Sequence, residues 1–241
     1  MKLKIYVKSD IGKTRKENQD IFRYGTIKKN IVWALVCDGM GGANAGKEAS
    51  EIVCDYIRNK MEKYLKKSEN INQLLAETLK EANEIVFKKS QSEEKYNGMG
   101  TTAVLGVIIE NKKYICYVGD SRAYSIVGNQ IDQLTIDHSV VQEMVDLGEI
   151  TKEEAKNHPK KNIITQAIGI KKEIKLGFIE CDCKKGDILL LCTDGLTNYV
   201  EDHDILDCIL NNEFEKSVDI LIDKANEMGG NDNITALIVY I

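Results

Sequence analysis

Asp38, Asp120, Asp194 and Asp232 each stand where an apolar run meets a polar one. IVWALVCDGMGG carries its run into Asp38, and YICYVGDSRAY sets Gly119-Asp120 after a second. DILLLCTDGL ends a third in Thr193-Asp194-Gly195, and GGNDNITALIVY opens a fourth with Asp232-Asn233. A tight turn accounts for any one of these stretches, because glycine reaches backbone angles closed to other residues and aspartate forms turns. Four strand ends with an aspartate at the mouth point instead to one assembled acidic centre. Like charges oppose one another's ionisation, so such a centre calls for neutralisation, and carboxylate oxygens are what Mg²⁺ and Mn²⁺ prefer. Histidine and cysteine are nearly absent from these loops, which argues against zinc. Gly39 has no side chain to cover a metal, so its carbonyl could serve as a ligand, while Gly41 and Gly42 would keep the approach open for a bulky anion. Two metals held ~3.5–4 Å apart are the usual arrangement for activating water against a phosphoryl group. Arg15, in SDIGKTRKENQD, adds the bidentate fork for phosphate that lysine lacks. An arginine in a polar loop is ordinary by itself; its coincidence with the aspartates singles it out.

The elements that must position these residues are written in the periodicity. Leu3, Ile5 and Val7 alternate with polar residues as in a half-buried strand, and further strands are expected at Ile21 to Gly25 and Ile31 to Cys37. From Ala43 the period changes, and Ala45, Ala49, Ile52, Val53, Tyr56, Ile57 and Leu65 fall on one helical face. Ile71, Leu74, Leu75, Leu79, Ala82, Ile85 and Val86 form a second stripe, with Asn70 as its N-cap. Strands return at Thr101 to Glu110, Lys113 to Val118 and Ala123 to Val127, with hairpin turns expected at Asn111-Lys112 and Gly128-Asn129. A helix follows from about Ser139 to Leu147, then strands at about Lys175 to Cys181 and Asp187 to Cys192. Helices near Asp202 to Leu210 and Glu215 to Glu227 precede a last strand at Ile234 to Tyr240. Short connections join antiparallel neighbours, and this order lacks the strand–helix alternation of a doubly wound sheet. The expected fold is therefore α+β: a four-layer α-β-β-α sandwich of two mainly antiparallel sheets flanked by helix pairs.

Bulk properties remove several function classes. The net charge of −5 is spread without a long single-sign block, unlike the basic face of a dedicated nucleic-acid binder. The seven cysteines are odd in number, and Cys37, Cys116 and Cys192 sit inside apolar runs as small hydrophobes. Cys181-Asp182-Cys183 lacks the spacing of a structural zinc site. No apolar run approaches the ~20 residues needed to span a bilayer, and MKLKIYVKSD lacks the continuous apolar core of a signal peptide. A cytoplasmic location is expected.

Seven motifs then fall in order along the chain: SDIGKTRKENQD at Ser9 to Asp20, VCDGMGG at Val36 to Gly42, GMGTTAV at Gly98 to Val104, VGDSRAY at Val118 to Tyr124, LTIDHS at Leu134 to Ser139, CTDGLTNYV at Cys192 to Val200 and GGNDNIT at Gly229 to Thr235. Together they resemble the metal-dependent serine/threonine protein phosphatases of the PP2C (PPM) type, in particular the compact bacterial members, and the resemblance covers essentially the whole chain. It implies a single domain over residues 1–241 with a mobile flap inserted at about 144–169. By the same resemblance Asp38 bridges two Mn²⁺ or Mg²⁺ ions and the Gly39 carbonyl binds the second. Asp194 and Asp232 complete the first ion's ligands, and Asp120 joins Asp194 at a weaker third ion. Arg15 matches the phosphate-binding arginine, Asp20 a carboxylate oriented toward metal-bound water, and Asn233 a close neighbour of the metals. The implied reaction is direct attack on phosphoserine or phosphothreonine esters by water or hydroxide activated at the dinuclear centre. The implied partners are phosphorylated Ser/Thr proteins and a Ser/Thr protein kinase, with no nucleic acid and no membrane span, and the chain is expected to be a monomer.

Two positions depart from the family pattern. Gln19 stands where many members carry a glutamate that anchors the second metal through water, which removes a charge there. Met40 stands where many eukaryotic members carry a histidine assigned as general acid. His138 could substitute for that acid, although a histidine hydrogen-bonded to hold its loop is the plainer expectation, and His158 and His203 read as surface residues. The rival functions are a metal-dependent hydrolase of other small phosphoesters and a non-catalytic phosphoprotein-binding regulator. The absence of a GxxxxGK[ST] run lowers an ATPase, and the retained aspartates disfavour a dead relative.

Overall fold

The computed structural model describes residues 3–42 and 45–241. Three strands open the chain, β1 (Lys4–Asp10), β2 (Asp20–Lys28) and β3 (Ile31–Met40), followed by the helices α1 (Ala45–Tyr64) and α2 (Ile71–Ser90). Next come β4 (Gly100–Thr101), β5 (Ala103–Ile109), β6 (Lys112–Val118), β7 (Arg122–Val127) and β8 (Gln130–Gln133). Two short helices, α3 (Val140–Asp146) and α4 (Lys152–Lys156), precede β9 (Gly177–Asp182) and β10 (Ile188–Cys192). The chain closes through α5 (Asp194–Thr197), α6 (Asp202–Leu210), α7 (Phe214–Glu227) and β11 (Ile234–Tyr240).

All the strand pairs are antiparallel, and they form two sheets ordered β1-β11-β10-β7-β8 and β2-β3-β5-β6-β9, with β4 added to β3. Strand alternation explains the layers. In β3, Trp33, Leu35 and Cys37 belong to a core shared with α1 and α2, whereas Val32, Ala34 and Val36 belong to the core between the sheets. A strand buried on both faces has to be apolar throughout, and that is the run seen in the sequence. A third core joins β7, β10 and β11 to α6 and α7. The result is the expected four-layer sandwich of two antiparallel sheets flanked by helix pairs.

Several local expectations need correction. The turn between β5 and β6 is Glu110-Asn111, one residue earlier than expected, because Ile109 pairs with Lys112 and Glu110 takes the left-handed conformation at φ 54°. The expected helix start at Ala43 lies outside the described residues, and Leu65 belongs to a short 3₁₀ turn after α1, still buried. Ile85 does not join the buried stripe of α2: it is 38% exposed. The Asn70 cap is present, its side chain accepting from the Gln73 N–H at 3.0 Å. β8 and the short helices α4 and α5 carry too few residues for periodicity to show them. Among the described residues no helix is long and apolar enough to cross a membrane.

Register gathers the four aspartates at one rim. β3 and β6 both pair antiparallel with β5, so they run parallel to each other and carry Asp38 and Asp120 out at the same edge. β10 is antiparallel to β11, so the end of β10 at Asp194 meets the start of β11 beside Asp232. Gly25 lies opposite Trp33 across β2 and β3, and a Cβ there would sit 2.6 Å from Nε1 of that fully buried indole. Gly25→Ala is therefore expected to destabilise the protein by roughly 1–3 kcal/mol through overpacking. Urea unfolding followed by circular dichroism measures this, and an unchanged midpoint would show that the indole can yield.

Candidate active site

The loop between β1 and β2 is laced to the start of β11. The Lys13 N–H donates to the Gly230 carbonyl at 2.7 Å and the Thr14 hydroxyl to the Asn231 carbonyl at 2.9 Å. Asn233 is buried and serves as the staple. Its Nδ2 donates to the carbonyls of Ile11 and Glu17, and its Oδ1 accepts the Gln19 N–H at 2.8 Å. Gly12 must be glycine here, since at φ +78° a Cβ would lie 2.2 Å from the Asp232 carbonyl oxygen. This lacing brings Arg15 over the pocket, where its Nη2 donates to Asp232 Oδ2 at 2.7 Å.

One pocket is lined by Arg15, Gln19, Asp38, Gly39, Asp120, Asp194 and Asp232, with Asn162 and Ile164 reaching it from the segment after α4. Asp20 lies beneath, 3% exposed, directly across the β2–β3 ladder from Asp38. Its Oδ2 accepts hydroxyl hydrogens from Thr193 at 2.8 Å and Thr235 at 2.7 Å, a bridge from one sheet to the other. Burial pushes the Asp20 carboxyl up to about 7, with Asp194 and Asp232 adding to the rise and the two hydroxyls opposing it. Burial and neighbouring aspartates also raise Asp38 and Asp120 well above the carboxylate range, and raise Asp194. Asp20 Oδ1 and Asp194 Oδ1 are buried with no hydrogen-bond partner. Crowded oxygens that depress one another's ionisation, two of them unpartnered, form a donor set suited to hard divalent cations. Among the described residues no group of three or more acidic, histidine or cysteine side chains is arranged to hold a metal ion by side chains alone.

The structure thus brings Arg15, Asp38, Gly39, Asp120, Asp194 and Asp232 into one pocket and sets Asp20 below it. Gly39 has a further reason to be glycine: a Cβ would lie 2.3 Å from the Gly46 carbonyl oxygen, so α1 packs directly on the strand backbone. His138 is not among the residues lining the pocket; its ring stacks on Tyr117 at 5.3 Å and its Nδ1 accepts the Gly119 N–H at 3.1 Å. The stapling by Asn233 and the bridge through Thr193 and Thr235 were not foreseen. The one signal for them is that Thr193 and Asn233 adjoin a motif aspartate and Thr235 lies at the start of β11.

Residues 13–237 match the family model described as Protein phosphatase 2C. The chain is 38% identical over 235 residues to the Serine/threonine phosphatase stp of Listeria monocytogenes, covering 96% of this chain and 93% of that one. It superposes on the Mycobacterium tuberculosis serine/threonine phosphatase PstP/Ppp with a TM-score of 0.91 at 30% identity, covering 99% and 98% of the two chains. The catalytic domain of PstP in complex with two manganese ions gives a TM-score of 0.87 at 29% identity, covering 99% and 97%.

Arg15 is half-exposed and held by a single carboxylate, so its fork can turn to an incoming anion. In the presence of Mn²⁺, Arg15→Ala is expected to weaken binding of inorganic phosphate by roughly 1.5–3 kcal/mol, the scale of a charged hydrogen bond. Arg15→Lys should recover only part of the loss, having the charge but not the fork. Calorimetric titration with phosphate checks this, and equal affinities in all three proteins would return Arg15 to the ordinary surface arginines.

Proposed function

Because the chain belongs to the protein phosphatase 2C family of metal-dependent serine/threonine phosphatases, we propose that the acidic pocket hydrolyses phosphoserine and phosphothreonine esters by direct attack of water. The crowding of Asp38, Asp120, Asp194 and Asp232 beside one guanidinium carries this reading. Asp38, the Gly39 carbonyl, Asp194 and Asp232 would hold two Mn²⁺ or Mg²⁺ ions, and Asp120 with Asp194 a weaker third. Such ions supply neutralising charge for the phosphoryl oxygens and lower the pKa of the attacking water.

The remaining work falls to the chain's own groups. Arg15 exchanges its bond to Asp232 for one to the phosphate and fixes that group against the aspartates. Asp20, locked through Oδ2 by Thr193 and Thr235, keeps Oδ1 available to orient the attacking water. A covalent phosphoenzyme has no support: burial pushes the Cys192 thiol up to about 12 and the Cys37 thiol well above its ordinary value, and a thiol is a poor nucleophile while protonated. The chain acts as one domain, and residues 144–169 serve as a flap beside the pocket, supported by the reach of Asn162 and Ile164 into it. We take the enzyme to work in the cytoplasm as a monomer. A Ser/Thr kinase is the implied counterpart, since phosphoserine and phosphothreonine have to be made before they are removed.

Phosphate release from a phosphothreonine peptide panel, with Mn²⁺, Mg²⁺ or EDTA, tests the reading. Comparable turnover of bis(p-nitrophenyl) phosphate would favour a general phosphoesterase instead. Asp38→Ala is expected to abolish turnover while the protein stays folded, because one carboxylate fewer relieves repulsion in the metal-free state. Two tight Mn²⁺ sites and normal turnover in that variant would refute the bridging role. Gln19 lines the pocket with its Oε1 close against Gly46. Gln19→Glu should add charge as well as a hydrogen bond and lower the Mn²⁺ concentration for half-maximal rate; coincident titration curves would mean that position 19 does not reach the metal's water.

A further inference from the structure

His138 has no place in the chemistry above, yet it is bonded twice to the loop that carries Asp120. Asp120 follows Gly119, which sits at φ +104°, a conformation that L side chains rarely adopt. A glycine there lets the loop turn sharply out of β6, and it also leaves the next residue on the most permissive joint the chain can offer. Both backbone groups of that joint are taken by His138. The Gly119 N–H donates to His138 Nδ1 at 3.1 Å, and the His138 N–H donates to the Gly119 carbonyl at 3.0 Å.

The imidazole is itself fixed from several sides. Its ring stacks on Tyr117 with an interplanar angle of 19°, and the Tyr117 hydroxyl accepts the Ile136 N–H at 3.0 Å. The neighbouring Asp137 takes Arg122 in a fork, Nε at 3.0 Å from both oxygens and Nη2 at 2.7 Å from Oδ2. The His138 carbonyl accepts the Thr165 N–H at 2.7 Å. Arg122 opens β7 two residues after Asp120, so the loop is clamped ahead of the aspartate by His138 and behind it by the arginine fork. An Nδ1 that accepts a backbone N–H is a neutral imidazole, in keeping with the downward shift that burial gives this ring. Engaged in that bond and stacked on Tyr117, the ring is arranged to hold a loop.

We infer that His138 is a positioning residue: by fixing both backbone groups of Gly119, it aims the Asp120 carboxylate into the pocket and so sets the affinity of the weakest metal site. The inference rests on the assignment of Asp120 to a third ion. Groups that orient metal ligands typically change metal affinity by about 10–100-fold when removed.

Two variants separate positioning from mere packing. His138→Phe keeps the stack on Tyr117 and removes the acceptor, whereas His138→Asn loses the stack and keeps an acceptor near the place of Nδ1. In Mn²⁺ calorimetry His138→Phe is expected to weaken the weakest site at least ten-fold and leave the tighter sites alone, with His138→Asn recovering most of the loss. Kinetics on a phosphothreonine peptide at limiting Mn²⁺ should show a fall in kcat with KM little changed. Hydrogen exchange at the Gly119 amide reads the brace without metal: fast in His138→Phe, slow again in His138→Asn. An equally slow Gly119 amide in His138→Phe, or unaltered Mn²⁺ binding, would overturn the inference, as would an Asn variant as defective as Phe. A wild-type protein with two tight sites and no weaker one would also overturn it while leaving the phosphatase reading intact.

Discussion

Carboxylates at the rim of this sandwich repel one another, and the scaffold has to hold them together before any cation arrives. Burial and mutual proximity raise Asp20, Asp38, Asp120 and Asp194 together. A conformation that concentrates like charge survives only if packing elsewhere outweighs it. Here three stacked apolar cores lie below the rim, and the aspartates are attached to the ends of the strands that form them.

The same constraint explains the neutral polar groups around the rim. Each is tied to a site residue, and none adds negative charge. The hydroxyls of Thr193 and Thr235 share Asp20 Oδ2, so one carboxylate joins the two sheets. The Thr102 hydroxyl accepts the Asp38 N–H, and Thr101 donates to the Asp38 carbonyl. Asn233 holds the backbone of the Arg15 loop by neutral bonds, while the guanidinium itself is bound by the Asp232 carboxylate. The loop that carries Arg15 is therefore placed by groups whose strength does not depend on ionisation, and its guanidinium adds an ionic contact to Asp232.

Much of this was legible from residues alone, for a physical reason. A strand buried on both faces is apolar throughout, so its end is abrupt, and an aspartate at that end stands out, as at Asp38 and Asp194. The helix pairs were legible because their apolar stripes are long. What escaped was local or distant. The Glu110-Asn111 turn is decided by one backbone angle, and Ile85, at the edge of the apolar stripe of α2, is left 38% exposed. The bond from Thr235 to Asp20 spans 215 positions of sequence, and nothing in either segment announces the other. Gly39 was understood for access to its carbonyl, whereas the passage of α1 against it is a matter of tertiary packing.

The chain has a single tryptophan, and Trp33 is fully buried in the core between α1, α2 and the sheet containing β3. Its fluorescence, excited apart from the tyrosines, is therefore a probe of that half of the sandwich alone. The core under α6 and α7 contains Tyr124 and no tryptophan. Far-ultraviolet dichroism samples both halves, so comparing the two signals during denaturation asks whether the layers melt as one cooperative unit. Coincident curves would mean that the inter-sheet core couples the halves. A tryptophan transition that ran ahead of or behind the dichroism would show them separating along the seam that the Asp20 bridge spans.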